Sequence, residues 1–68
     1  MNYSKAIKQL RNKMFLTQVD FAAHLGVSFQ TINRWETGKF EPTMKLKRKL
    51  MPLFEKYNIV LEENYGKI

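Results

Sequence analysis

A chain of 68 residues makes one domain, whose core must come from a few well-placed apolar side chains and leaves little volume for an effector cavity, so no small-molecule ligand is expected. With 44% hydrophobic residues and only 3 Gly and 2 Pro, it is too apolar and too poor in chain breakers to be disordered. Twelve Lys and Arg against six Asp and Glu give +6 and a pI near 9.9, the balance of a partner for nucleic acid or an anionic membrane.

The first apolar stripe is Tyr3, Ile7, Leu10 and Met14, spaced as one face of a helix that is capped near Asn2 or Ser4. Thr17 is placed to cap a second helix, with Asp20 as a weak capping-box partner and Phe21, Ala22 and Leu25 as its buried face. Gly26 ends it, because a left-handed φ is cheap only without a side chain. Ser28 then caps a third helix two residues later, which makes a very tight turn between the two. Thr37-Gly38 stops that helix and Glu41-Pro42-Thr43 restarts the chain. Beyond it, Leu46, Leu50, Leu53, Phe54 and Tyr57 share one face whose phase runs through Pro52, giving one helix kinked there or two abutting. Met44 and Met51 read as core or partly exposed filler.

The segment Leu16 to Pro42, LTQVDFAAHLGVSFQTINRWETGKFEP, resembles the helix-turn-helix of the phage-repressor and Cro-like (XRE-type) family. Ala22 stands where two helices cross closely, Gly26 at the turn, and Val27, Ile32 and Trp35 at the wedge of core between them. Trp35-Glu36-Thr37-Gly38 matches the family's ending. The resemblance implies an all-α, lambda-repressor-like domain of four to five helices over residues 1–58, with a short tail over 59–68. It also implies a prokaryotic or phage regulator of transcription. Family members often carry an ion pair at the places of Arg11 and Glu36, so that pair is expected here.

At roughly 100° per residue, Phe29, Gln30, Asn33, Arg34 and Thr37 fall on one side of the third helix and Ser28, Thr31, Ile32 and Trp35 on the other. The second side holds the core residues. The first is therefore exposed, yet it carries an aromatic ring, two amides and a guanidinium, which is the chemistry that reads base edges in a major groove. Phe29, Gln30, Asn33 and Arg34 are the candidate base-reading residues of the helix 28–37. Gln18 opens the second helix, where free N–H groups favour an anion, and the family similarly uses this Gln on the DNA backbone. Gln18, Ser28, Lys39 and Thr43 are the candidate phosphate contacts, and Asn33 fits either role.

Other readings stand beside these. Phe29 also fits the edge of the core, Gln18 a simple decoration of a helix start, and Lys45, Lys47, Arg48 and Lys49 a solvated helix face that adds long-range attraction. His24 is expected to face solvent and, with no Cys and no carboxylate cluster, is no metal site. Neither a cofactor nor an enzymatic activity is expected, since no phosphate loop and no nucleophile–base pair is present. No membrane-spanning stretch or signal peptide is seen, and the expected place is the cytoplasm, on the nucleoid. The partner is double-stranded DNA, met by residues 1–49, where ten basic residues face three acidic ones. Two further readings are a protein-interaction or antitoxin module on the same fold, and an RNA or anionic-surface binder that uses charge alone. After Asn58 the chain departs from the family's fifth helix. Ile59, Val60, Leu61 and Glu62 alternate like a half-buried strand, so residues 59–65 are expected to be extended, either clamping the core or pairing two copies as a homodimer on a two-fold operator.

Overall fold

Four helices run through the computed structural model, which describes residues 3–61: α1 (Tyr3–Lys13), α2 (Gln18–Leu25), α3 (Phe29–Glu36) and α4 (Met44–Lys56). No strand occurs among the described residues, and the fold is all-α. The two interior starts are capped by hydroxyls. Thr17 Oγ1 accepts from the Asp20 amide at 3.1 Å, and Ser28 Oγ accepts from the Thr31 amide at 3.1 Å, each satisfying an N–H that its helix cannot. Thr43 occupies the same position before α4 with extended backbone, but its side chain makes no capping hydrogen bond. Helix α1 already includes Ser4, so Ser4 is not its cap, and Asn2 lies outside the described residues.

All four helices end in the same way. A left-handed residue follows the last turn, its N–H bonds back to one carbonyl, and the next N–H bonds back one carbonyl further, which is the Schellman arrangement. The left-handed residues are Phe15, Gly26, Gly38 and Asn58, with φ of 59°, 75°, 81° and 57°. Their N–H groups reach the carbonyls of Asn12, Ala23, Trp35 and Glu55. The following residues, Leu16, Val27, Lys39 and Ile59, reach those of Arg11, Ala22, Arg34 and Phe54. Glycine adopts this φ freely and asparagine tolerates it, but for phenylalanine it is a strain. Phe15 bears that strain with its side chain 94% exposed, so packing does not offset it.

Between these ends the core is built from Tyr3, Ala6, Ile7 and Leu10 of α1, Phe21, Ala22 and Leu25 of α2, Ile32 and Trp35 of α3, and Leu50 and Phe54 of α4, with Ile59 from the segment after α4. Each fully buried Leu, Ile or Phe among them contributes about 1.5–3 kcal/mol. Helix α3 packs mainly on α2 and α1, and α1 also packs on α4. The stripe of α1 is completed by Ala6, and Met14 is only half-buried. Helix α4 is one continuous helix with Pro52 inside it and exposed. Pro52 has no N–H to give the Arg48 carbonyl one turn earlier, and both residues are exposed. Met44 and Met51 are exposed, so neither is core. Ser28 is exposed as well, a cap rather than part of the buried side of α3. Ile59 is buried, Val60 exposed and Leu61 packed against the core. The rest of the expected extended tail lies outside the described residues.

These ends generate a paired expectation. Phe15→Gly removes a left-handed penalty of about 1–2 kcal/mol against a cost of about 0.5–1 kcal/mol from the freer unfolded chain, and should raise stability by about 0.5–1 kcal/mol. Gly26→Ala should lower it by about 1 kcal/mol through φ alone, because a Cβ there meets nothing within 4 Å. Urea midpoints measure both, and a lower midpoint for Phe15→Gly would show that the exposed ring stabilises the fold.

Candidate nucleic-acid interface

Helix α3 has eight residues and two opposite characters. Ile32 and Trp35 point inward and are 0% and 3% exposed. Gln30, Asn33, Arg34 and Thr37 point outward and are exposed, and Phe29 joins them at 46%. Phe29 is therefore not a core residue. Thr37 turns its hydroxyl back onto the carbonyls of Asn33 and Arg34, at 3.0 and 3.2 Å, which closes the helix end and leaves the other four side chains as its outer face. Phe29, Gln30, Asn33 and Arg34, with Lys39 from the turn that follows, line one shallow concavity. The structure thus brings the four candidate base-reading residues and one candidate phosphate contact onto a single surface.

Beside that surface lies a chain of polar side chains. Arg11 of α1 donates from Nε to Glu36 Oε2 at 2.7 Å and from Nη2 to Glu36 Oε1 at 3.1 Å, a two-bond fork. Its remaining amino group donates to the carbonyl of Leu16 at 3.0 Å. Gln18 Nε2 donates to Glu36 Oε1 at 3.0 Å, and Asn33 Nδ2 donates to Gln18 Oε1 at 3.5 Å. The two ion-pair side chains are only 15% and 5% exposed. The hydrogen bond to Glu36 holds the Arg11 guanidinium above its ordinary pKa, against the opposing pull of burial. The resemblance implies an ion pair of Arg11 and Glu36, but neither its two-bond geometry nor the continuation through Gln18 to Asn33. Its signal is the spacing of Gln18 at the start of one helix against the end of another, which a pattern of periodicity does not report.

Neither Arg34 nor Lys39 forms an ion pair among the described residues. Glu36 and Glu41, each two residues from one of these cations, are taken up by Arg11 and Lys47, so the two cations here are not cancelled. Arg34 instead makes a cation–π contact: its guanidinium carbon lies over the ring of Phe40, 5.5 Å from the centroid. Phe40 is a site-adjacent residue that sequence reasoning missed, because it stands in a loop where no periodicity marks a face. Ser28 Oγ is shared with Thr31 Oγ1 at 2.9 Å, and Thr43 is exposed at the start of α4. In the basic run of α4, Lys49 donates to the carbonyl of Leu25 at 3.3 Å and Lys47 lies 5.0 Å from the ring of Tyr3 and 3.7 Å from Glu41, so both have work inside the fold. Lys45 and Arg48 are exposed, as is His24.

A family model described as helix-turn-helix matches residues 7–51. An uncharacterized HTH-type transcriptional regulator of Methanocaldococcus jannaschii is 45% identical over 53 residues, which cover 78% of this chain and 76% of the relative. A second protein of the same description, from Archaeoglobus fulgidus, is 40% identical over 48 residues, covering 71% of this chain and 68% of its own length. Both relatives are archaeal. No solved structure matches. Among the described residues no helix is long and apolar enough to cross a membrane.

Removing Glu36 leaves Arg11 partly buried with one carbonyl partner, and unpairing a buried charge costs about 3–5 kcal/mol. Because Arg11 keeps the Leu16 carbonyl, Glu36→Ala should cost about 3 kcal/mol, the low end of that range. Chemical denaturation measures it, and a loss under about half a kcal/mol is what an exposed surface pair gives.

Proposed function

The chain belongs to the XRE-type helix-turn-helix family, and from that premise we propose that it is a sequence-specific, repressor-like transcription regulator that lays α3 in the major groove of double-stranded DNA. Membership makes it a DNA-binding regulator rather than an enzyme. The finer reading rests on one observation: the outward face of α3 carries Gln30, Asn33 and Arg34 exposed beside the buried Ile32 and Trp35. A face of amides and guanidinium whose contacts inside the protein are a 3.5 Å bond from Asn33 to Gln18 and the ring contact of Arg34 has a use in a groove, where Arg pairs with guanine O6 and N7 and Gln or Asn with adenine N6 and N7. Phe29 adds an apolar contact suited to a thymine methyl.

Gln18, Ser28, Lys39 and Thr43 surround that face as the phosphate set, fixing register without reading sequence. Gln18 enters this role already oriented by Glu36 and still has a second amide hydrogen and its backbone N–H for a phosphate oxygen. The resemblance to phage repressors and Cro makes occupancy of an operator the simplest mode of control. A pair of copies on a two-fold operator sets the two recognition helices about one turn, roughly 34 Å, apart.

The two classes of contact separate in a binding-site preference profile taken at constant salt. Arg34→Ala should cost about 1–3 kcal/mol and relax preference at one base pair. Lys39→Ala should weaken all sequences alike and reduce the slope of log K against log salt by about 0.9. An Arg34→Ala protein with unchanged base preference and uniformly lower affinity would move Arg34 to the DNA backbone.

A further inference from the structure

We propose that Phe40 is a positioning residue for Arg34, holding the guanidinium in the orientation in which it reads a base; this rests on the groove-reading role proposed above. The ring is 58% exposed, so the core does not need it. Its placement is nevertheless tightly set. The Phe40 amide donates to the Arg34 carbonyl at 3.4 Å, alongside that of Lys39 at 3.0 Å, after the chain reverses at Gly38 with φ 81°. The loop thus folds back on the very residue whose side chain the ring meets, 5.5 Å from the guanidinium carbon. Arg34 lies between two concavities, one shared with Gln30 and Asn33 and the other walled by Phe40 and Trp35.

The chemistry of the two contacts is compatible. An aromatic ring attracts a guanidinium through its flat face, whereas a guanine is bound through the N–H groups at its edge. A ring contact takes up none of the guanidinium's N–H groups as hydrogen-bond donors, yet it restricts a side chain that otherwise samples many rotamers. A restricted arginine loses less freedom on binding and tolerates a displaced partner less well, so both affinity and discrimination gain.

The test uses the full chain and duplex DNA selected from a random pool by the wild-type protein. Discrimination is measured, at fixed salt, between the preferred base pair and its three alternatives at the position that Arg34→Ala relaxes by about tenfold or more. Phe40→Ala and Phe40→Leu should cut discrimination at that position about two- to fivefold, the worth of an exposed cation–aromatic contact, while Phe40→Tyr stays within about twofold of wild type because the ring is kept. In the Arg34→Ala background, Phe40→Ala should change nothing further. Phe40→Leu keeps bulk at the site and carries the test if the alanine variant melts early. Unchanged discrimination in Phe40→Leu, with Arg34→Ala still relaxed, overturns the positioning role; a further loss in the double variant overturns it too, by making Phe40 a DNA contact in its own right. If Arg34→Ala itself leaves base preference unchanged, it is the groove-reading role that fails, and the positioning role with it.

Discussion

The fork between Arg11 and Glu36 is the constraint on which the placing of α3 and its outer face depends. It ties the last turn of α1 to the last turn of α3, and through the Leu16 carbonyl it also holds the link into α2. A charge pair this far from water is stable only when its remaining donors and acceptors are used. Here they are: the Leu16 carbonyl and the Gln18 amide complete the set, and no buried side-chain N or O among the described residues lacks a partner. Because the Arg11 pKa is raised in the folded state, its contribution is fully present below the ordinary arginine value and is lost only as pH climbs beyond it, outside any working range. The pair acts as a permanent strut, and the same Glu36 carboxylate orients Gln18 by accepting from its amide.

Helix α3 shows how this small fold divides its residues between stability and binding. Eight residues are too few for a helix to persist in water by themselves. Ile32 and Trp35 anchor it, Ser28 caps its start and the Gly38 turn closes its end. Those groups are on the inside or at the tips, so the outer positions are released from any structural duty. Asn33 has only a long contact to Gln18, and Gln30 is simply exposed. Neutralising Glu36 internally matters for the same reason, since an unpaired carboxylate at the edge of this face would repel a phosphate.

Much of this was readable in the residues because the relevant signals are local. Thr17, Ser28, Gly26 and Gly38 mark helix ends through chemistry that operates over three or four residues, and Phe21, Leu25, Ile32 and Trp35 mark buried faces through spacing. The misses share a cause. Ser4 is a good capping type, but nothing local says that α1 has already begun before it. Met44 and Met51 are apolar and exposed, and whether a flexible thioether is buried depends on what lies opposite in space. Phe40 and the Gln18–Glu36 bond join parts of the chain that only the packing of α1, α2 and α3 brings together. The outer face of α3 was readable; the ring that its arginine meets was not.

The four helix ends make the same distinction in another way. In the Schellman arrangement the residue after the left-handed position is normally apolar and packs back on its helix. Leu16, Val27 and Ile59 do this after α1, α2 and α4, where each joins the core or its margin. After α3 that position is Lys39, which is exposed. The fold forgoes an apolar contact at this one end, and the ring that follows, Phe40, lies out against Arg34 rather than in the core. A cation and an aromatic residue therefore stand at the lip of the outer face of α3 where the other helix ends turn hydrophobic groups inward. That substitution has no value for packing. Where Leu16, Val27 and Ile59 close the other three ends against the core, the end of α3 is left open, with its charge and its ring on the side of the helix's outer face.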